Sequence, residues 1–182
     1  ELPTALAAKT YADSQLRTQV FSVYNCLTVA DYHIMLFADS ATLTETTPSS
    51  LGNATDPATT FDWSGVATNY TGYVAQTYFH IPYNCIIESV DAAATTNGST
   101  AETVRFHVME YELGTGLTTA GDLSNGALKA YSNDITTLTE ERLKKASFTL
   151  DADPTLTKNN ILIVTIQADD ATDECSAQVW IN

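Results

Sequence analysis

The amino-acid sequence predicts an all-β protein, an antiparallel β-sandwich of the jelly-roll or Greek-key type. Three observations indicate this class. Short runs alternate between apolar and polar residues, as half-buried strands do, because successive strand side chains point to opposite faces. Threonine is abundant and lysine scarce, a bias that favours strands and polar loops over helices. Turn-rich segments such as T-T-N-G-S-T and L-G-T-G separate the runs.

Length and charge set the broad class. The 182 residues fit one β-sandwich domain over residues 19–182, preceded by a docking or oligomerisation segment over residues 1–18. Eight basic residues against 22 acidic ones give a net charge of −14, which repels a phosphate backbone, so we expect no nucleic-acid partner. No run approaches the roughly 20 apolar residues of a membrane helix, so we expect no membrane insertion. Because the first residue is Glu1 and not methionine, we expect the chain to be processed, excised from a longer polypeptide, or incomplete at this residue.

The first element is a short helical or extended segment. Thr4–Leu16 is rich in alanine and lacks glycine and internal proline, which predicts a short helix that begins near Pro3. Its apolar positions form a stripe too narrow to anchor a core, so the segment should pack against the sandwich or another chain. The interface candidates in this segment are Leu2, Leu6, Tyr11 and Leu16.

Eight strand candidates follow. Their number and their irregular, partly long connections favour a jelly roll over an up-and-down barrel. In chain order they are Gln19–Tyr24, Thr28–Phe37, Tyr73–His80, Asn84–Ala92, Thr103–Glu112, Ser147–Leu150, Asn160–Ala168 and Cys175–Ile181.

Three of these segments carry the clearest patterns. In Glu102–Glu112 alternate residues from Val104 to Val108 share one face, predicted to be buried, and the face that carries His107 and Met109 is predicted to be wet. Asn160–Ala168 is apolar on both faces, which is typical of a central strand. Cys175–Ile181 alternates again. Between the strands, a capping-box pattern from Thr137 into E-R-L-K-K predicts one helical turn.

A long polar tract, Asp39–Thr60, predicts an exposed loop. Aromatic residues cluster directly after it. We interpret this cluster as core or subunit interface, with a carbohydrate-binding platform of Trp63, Tyr70 and Tyr73 as the alternative. The interface candidates here are Phe61, Trp63, Tyr70 and Tyr73.

The residues that bear chemistry form no recognisable catalytic pattern. His33, His80 and His107 lie on three different strand candidates, so we interpret each as an ordinary histidine and not as a metal ligand. No G-x-S-x-G elbow marks a nucleophile. We therefore predict no catalytic residue, no metal and no cofactor, and a protein that is not an enzyme.

Cysteines and acidic residues have similarly plain interpretations. Cys26, Cys85 and Cys175 are predicted to be free thiols that act as small apolar groups, with one disulfide plus an orphan as the alternative. The acidic stretch Asp169–Glu174 is predicted to be a solvated hairpin tip, with a calcium loop as the alternative, since its spacing lacks the central glycine of the calcium-loop motif.

Two segments resemble tailed-bacteriophage proteins. Leu2–Leu16 is similar to the K-x-Y-x-D helix of phage fibre proteins through Lys9, Tyr11 and Asp13, with Ala12 in place of the usual valine. Tyr78–Leu113 looks like the β-sandwich modules of phage fibres and capsid-decoration proteins. The resemblance implies a non-enzymatic, trimeric protein on the virion exterior, with other virion proteins and a host-surface glycan as partners.

Two further functions fit the same sequence. One is a secreted or cell-surface carbohydrate-binding module, because sandwiches of this size bind sugars through aromatic side chains. The other is a pilus or filament subunit that inserts residues 1–24 into a neighbour's sheet.

Overall fold

The strands arise where apolar and polar residues alternate. The computed structural model describes residues 18–27, 33–38, 77–97, 102–113, 126–138, 142–169 and 174–182. Within these ranges the chain forms β1 (Gln19–Leu27), β2 (His33–Met35), β3 (Phe79–His80), β4 (Cys85–Ile86), β5 (Val90–Thr96), β6 (Glu102–Tyr111), β7 (Ala127–Ser132), β8 (Ile135–Leu138), β9 (Lys144–Ala146), β10 (Phe148–Leu150), β11 (Thr155–Leu156), β12 (Ile161–Ala168) and β13 (Glu174–Ile181). None of the described residues belongs to a helix long and apolar enough to cross a membrane.

The strands pair antiparallel in two main sheets. The four-stranded sheet has the order β1-β13-β5-β9. The seven-stranded sheet has the order β10-β7-β6-β12-β2, with β3 joined to β12 and β8 joined to β6. A separate short pair joins β11 to β4. Strand β12 is central, as its two apolar faces predicted.

One hydrophobic core lies between the two sheets. The inward residues of β13, which include Ala177 and Val179, pack in the same cluster as Phe106 and Val108 of β6. Phe106, Val108 and Val179 are fully buried. Because inward faces of both sheets share this cluster, the prediction of an antiparallel β-sandwich is confirmed.

The two sheets also meet along one side. Leu36 donates its backbone N–H to Val164 of β12 at 2.8 Å, whereas the next residue, Phe37, exchanges two backbone hydrogen bonds with Ser22 of β1 at 2.8 and 2.9 Å. The chain therefore passes from one sheet edge to the other at this point. Part of edge strand β1 is thereby covered, which limits its pairing with other chains.

The outer face of the seven-stranded sheet is more buried than the sequence predicts. His107 is 2% exposed and Met109 is fully buried, so the prediction of a wet face is wrong for both residues. Met109 belongs to an apolar layer outside the main core. Its members are Met35, Met109, Tyr111, Ile161 and Ile163, with Tyr78 and Leu128 packed against them.

Several predicted element bounds need correction. The candidate Asn84–Ala92 is two strands, β4 and β5, with an irregular break between them. The prediction of a helical turn after Thr137 is wrong for the residues that the structure describes there. Thr137 lies in strand β8, and Lys144 begins strand β9. Each of these two strands pairs with a strand that is distant in the sequence. Such long-range pairing overrides local helix propensity. Strands β7, β8, β9 and β11 have no counterpart among the eight candidates.

The strand directions give the sandwich two distinct ends. At one end Gln19 pairs with Ile181, and Thr18 donates its hydroxyl to Oδ1 of Asn182 at 2.6 Å. Residues 1–18 therefore join the sandwich beside its last residue. We call this the N-terminal end.

The opposite end, which we call the crossover end, holds the strand ends that four connections join. These connections are β1 to β2, β5 to β6, β8 to β9 and β12 to β13, and each links one sheet to the other. The register confirms that these strand ends lie side by side, because Leu27 pairs with Glu174, and Cys175 with Thr96.

Candidate functional site

A shallow groove of about 310 Å³ crosses the outer face of the four-stranded sheet. Its floor is low because the register places a small side chain on each side of Gln178. Ser22 of β1 lies opposite Gln178, and Ala93 of β5 lies opposite Gln178 on the other side. Larger side chains rise around this floor. The lining residues are Ser22, Val23, Tyr24, Ala93, Thr95, Leu143, Ser176, Ala177, Gln178 and Trp180.

A β-bulge in β1 forms one wall of the groove. Val23 pairs with Ala177 and Cys26 pairs with Cys175, so two residues of β1 between them face one residue of β13. One of the two, Asn25, has a φ of 53°, a left-handed conformation that asparagine tolerates better than most residues. The other is Tyr24, whose side chain is 58% exposed. Bulges commonly re-aim a side chain in this way.

The bulge is fixed by a hydrogen bond at the groove floor. The backbone N–H of Asn25 donates to Oγ of Ser176 at 2.9 Å. This bond satisfies a donor that the bulge removes from the regular ladder. The position of Tyr24 is therefore built into the strand and does not depend on a loop.

Trp180 forms the opposite wall and separates two depressions. The second depression, of about 470 Å³, shares Trp180 and Ala93 with the groove. Its far edge carries an ion pair between Lys145 Nζ and Asp91 Oδ1 at 2.6 Å. Trp180 is thus a partly exposed indole with open space on both sides.

None of the described residues that line the groove is charged. Apart from the polar tips of Tyr24 and Trp180, its polar side chains are the hydroxyls of Ser22, Thr95 and Ser176 and the amide of Gln178. No described residue engages the side chains of Thr95 or Gln178 in a hydrogen bond, so both remain available to a ligand. The arrangement offers aromatic surface, hydroxyls and an amide.

A third depression, on the seven-stranded sheet, has polar groups that are already paired. There Arg105 holds Oδ1 of Asp134 through Nε at 2.7 Å and Nη2 at 2.6 Å. Ser132 donates to the backbone carbonyl of Asn133 and accepts from the backbone N–H of Phe106. These groups stabilise the end of β7 and leave less for a ligand than the groove does.

The structure brings together two of the three histidines. The rings of His33 and His107 lie 4.7 Å apart, edge to face, and both are buried. Nδ1 of His33 lies 3.2 Å from Oγ1 of Thr165. His80 is exposed near the opposite end of β12. Among the described residues, no group of histidine, cysteine and acidic side chains has the arrangement of a metal site.

The cysteines are free thiols, as predicted. Cys26 and Cys175 lie directly opposite one another in β1 and β13, and both are buried in the core. Burial raises the pKa of Cys26 to about 12, with the nearby carboxylate of Glu102 adding to the shift. Burial likewise raises the pKa of Cys175 and, to a lesser degree, of the half-buried Cys85. None of the three thiols has the lowered pKa of a reactive cysteine.

The hairpin-tip interpretation of Asp169–Glu174 is wrong. Strand β12 belongs to the seven-stranded sheet and β13 to the four-stranded sheet, so this segment is a connection between sheets. Asp169 accepts the backbone N–H of Thr103 at 2.8 Å, and Glu174 accepts the Asn97 side-chain amide at 2.6 Å. Both carboxylates thus tie together neighbouring strand ends at the crossover end.

All eight interface candidates lie outside the described residues: Leu2, Leu6, Tyr11, Leu16, Phe61, Trp63, Tyr70 and Tyr73. The predictions for them stay predictions. The groove was not identified from the sequence, although one signal was present. Ser176, Gln178 and Trp180 occupy the outward positions of β13, and an outward-facing tryptophan beside small polar residues is a mark of a binding surface.

No protein-family model matches the chain, and no curated protein matches it. Among solved structures, the chain is similar to the CBM22-1 and GH10 modules of the Clostridium thermocellum endo-1,4-β-D-xylanase 10B complexed with xylohexaose. The likeness has 12% identity and a TM-score of 0.29, and covers 57% of this chain and 17% of that one. At this TM-score the likeness carries no argument about function.

Proposed function

We propose that the chain is a non-enzymatic structural protein on the exterior of a virus particle, a capsid-decoration protein or a component of a fibre. In this role residues 1–18 dock the protein or hold a homotrimer together, and the sandwich presents binding surface outwards. The partners are other virion proteins and a glycan of the host surface.

One observation carries this proposal: the segment that would dock joins the sandwich at the N-terminal end, away from the crossover end. Gln19 pairs with Ile181 at the N-terminal end, whereas Leu27 pairs with Glu174 at the crossover end. A module with its attachment at one end leaves the other end and the outer face of the four-stranded sheet for contacts. Such polarity suits a protein that stands on a particle.

The strand order supports the jelly-roll form of the predicted sandwich. Four strands in the order β1-β13-β5-β9 face strands in the order β2-β12-β6-β7, and the chain crosses between the sheets after β1, β5, β8 and β12. Viral capsid domains and lectins share jelly rolls of eight strands. A fold alone does not give a function, so the resemblance of Leu2–Leu16 and the net charge of −14 add separate support.

Strand donation has less support than docking. Residues 19–23 pair with the chain's own strand β13, so most of the segment 19–24 is already used inside the sandwich. Donation would have to rest on residues 1–18 alone.

Light scattering of the full chain and of residues 19–182 tests the proposal. We expect a trimeric mass for the full chain and a monomeric mass for the truncated chain, with an unchanged β-sheet circular dichroism spectrum. A full chain that is monomeric at all concentrations would contradict oligomerisation through residues 1–18. A trimer that survives the truncation would move the contact to the sandwich.

A further inference from the structure

We propose that the groove on the outer face of the four-stranded sheet is a binding site for an uncharged oligosaccharide, with Trp180 as its central platform. The inference rests on the proposed function in one respect: it identifies the ligand class of a protein that acts at a surface. It assigns that ligand to Trp180, Tyr24 and Gln178, none of which belongs to the sequence cluster Phe61–Tyr73.

The first argument is aromatic surface at the right exposure. Tyr24 is 58% exposed and Trp180 is partly exposed, and both line the groove. Tyrosine and tryptophan rings combine an apolar face with a polar tip, which suits a ligand that has both apolar C–H faces and hydroxyls. Sugars have this composition, because the C–H groups of a pyranose ring present an apolar face while its hydroxyls lie around the rim.

The second argument is the polar set on the floor. Gln178 lies between the two walls and can both donate and accept through its amide. Thr95 and Ser22 add hydroxyls on the two neighbouring strands. Few precisely placed polar groups among apolar walls are the usual composition of a ligand site.

The third argument is charge. A chain with net charge −14 presents here a groove in which no described lining residue is charged. A sialylated or sulfated glycan would find no positively charged partner among these lining side chains, and the negative charge of the whole protein would repel it. The groove therefore selects a neutral sugar over an acidic one.

The fourth argument is length and rigidity. Trp180 lies four positions after Ser176 on β13, which corresponds to about 13 Å along the strand from the bulge. The second depression, whose Lys145 is already paired with Asp91, continues the face beyond Trp180. The site therefore accommodates an oligosaccharide that crosses Trp180, and its side chains stand on strands, which cost little ordering on binding.

The experiment begins with a microarray of neutral and sialylated oligosaccharides probed with the full chain. The strongest neutral ligand is then titrated against the protein while tryptophan fluorescence is recorded. The chain has two tryptophans, so Trp63→Phe leaves Trp180 as the reporter, and Trp180→Phe leaves Trp63. We expect the ligand-induced change in Trp63→Phe and its loss in Trp180→Phe.

Affinity measurements on groove variants complete the test. We expect Trp180→Ala and Gln178→Ala each to weaken binding, Trp180→Ala by roughly tenfold or more. Tyr131→Ala, which removes a tyrosine that is 41% exposed on the other sheet, is the matched control and should bind as the parent does. Because Gln178 is exposed, its variant should fold even if Trp180→Ala does not.

Four outcomes would overturn the inference. The first three are that no glycan binds, that only sialylated glycans bind, or that the fluorescence change follows Trp63. The fourth is that Trp180→Ala abolishes a self-association of the sandwich, which would make this face an interface between copies of the chain. Failure of the proposed function is separate, because a full chain that is monomeric, or a trimer that survives removal of residues 1–18, would leave sugar binding through the groove unaffected.

Discussion

Replacing Lys129 by methionine tests the most buried of the ion pairs formed between described residues. Lys129 Nζ lies 3.0 Å from Glu110 Oε2, and the two side chains are 9% and 4% exposed. Oε1 of Glu110 also accepts the backbone N–H of Thr157 at 2.7 Å and the side-chain amide of Asn160 at 2.9 Å. The carboxylate therefore joins β6 and β7 to the segment between β11 and β12.

The expected loss of unfolding free energy follows from the buried charge of Glu110, which Lys129→Met leaves without its cation. Removing one partner of a buried ion pair leaves an uncompensated charge and costs about 3–5 kcal/mol. Because two hydrogen bonds to Glu110 remain, we expect the lower end, about 3 kcal/mol. In the double variant Glu110→Gln/Lys129→Met, the amide oxygen keeps both acceptor bonds and no charge is buried. The double variant should therefore be more stable than Lys129→Met, with a coupling energy of about 0.5–3 kcal/mol.

Urea unfolding measures these free energies, provided that the slope of each transition stays unchanged. The exposed ion pair of Lys145 and Asp91, with 71% and 43% exposure, is the matched control, and Lys145→Met should cost at most about 1 kcal/mol. The reasoning is refuted if Lys129→Met costs no more than Lys145→Met, or if the double variant loses the sum of both single effects.

The remaining predictions concern the core. Cys26 and Cys175 should resist alkylation by iodoacetamide at pH 8 while Cys85 reacts slowly, and all three should react in urea. Mass spectrometry identifies the alkylated cysteines, and rapid labelling of Cys26 in the folded protein would contradict its burial. Since the pKa of Cys26 is raised from 9.0 to about 12, the unfolded thiol ionises first. Stability should fall as the pH rises from 9 to 12, less steeply in Cys26→Ala; equal slopes would contradict the shift. Gly126→Ala should cost about 1–3 kcal/mol, because a Cβ there overlaps the ring of buried Tyr111, and Tyr111→Leu should relieve most of this cost in thermal melts.

Strong alternation made part of the fold predictable from sequence. Strands β6, β12 and β13 each span eight or more residues, long enough for the alternation in β6 and β13 and the continuous apolar run in β12 to identify them as strands. Strands β9 and β11 span three and two residues. So short a run has no period, and Lys144 and Lys145 in β9 favour a helix by local propensity.

The partners of each strand were not predictable. β12 and β13 are separated by one short connection, which favours a hairpin, yet they lie in different sheets. The reason is that each strand finds a better partner elsewhere: β12 pairs with β6 over eight residue pairs and β13 with β5 over seven. Long-range pairing of this kind leaves no local mark in the sequence.

The groove shows the same limit. Tyr24 and Trp180 lie at opposite ends of the sequence, and only the pairing of β1 with β13 places them on one face. The outward position of Trp180 was visible in the alternation of β13. The bulge at Asn25 that exposes Tyr24 was not, because it depends on the partner strand.

Hydrogen–deuterium exchange of the full chain against residues 19–182 tests the central claim, that assembly uses the N-terminal end and leaves the rest of the sandwich free. We predict extra protection in the full chain at that end, in peptides that contain Gln19 or Ile181, and unchanged exchange at the crossover end around Thr96 and Glu174. Protection confined to the crossover end, or identical exchange in both chains, would contradict the account.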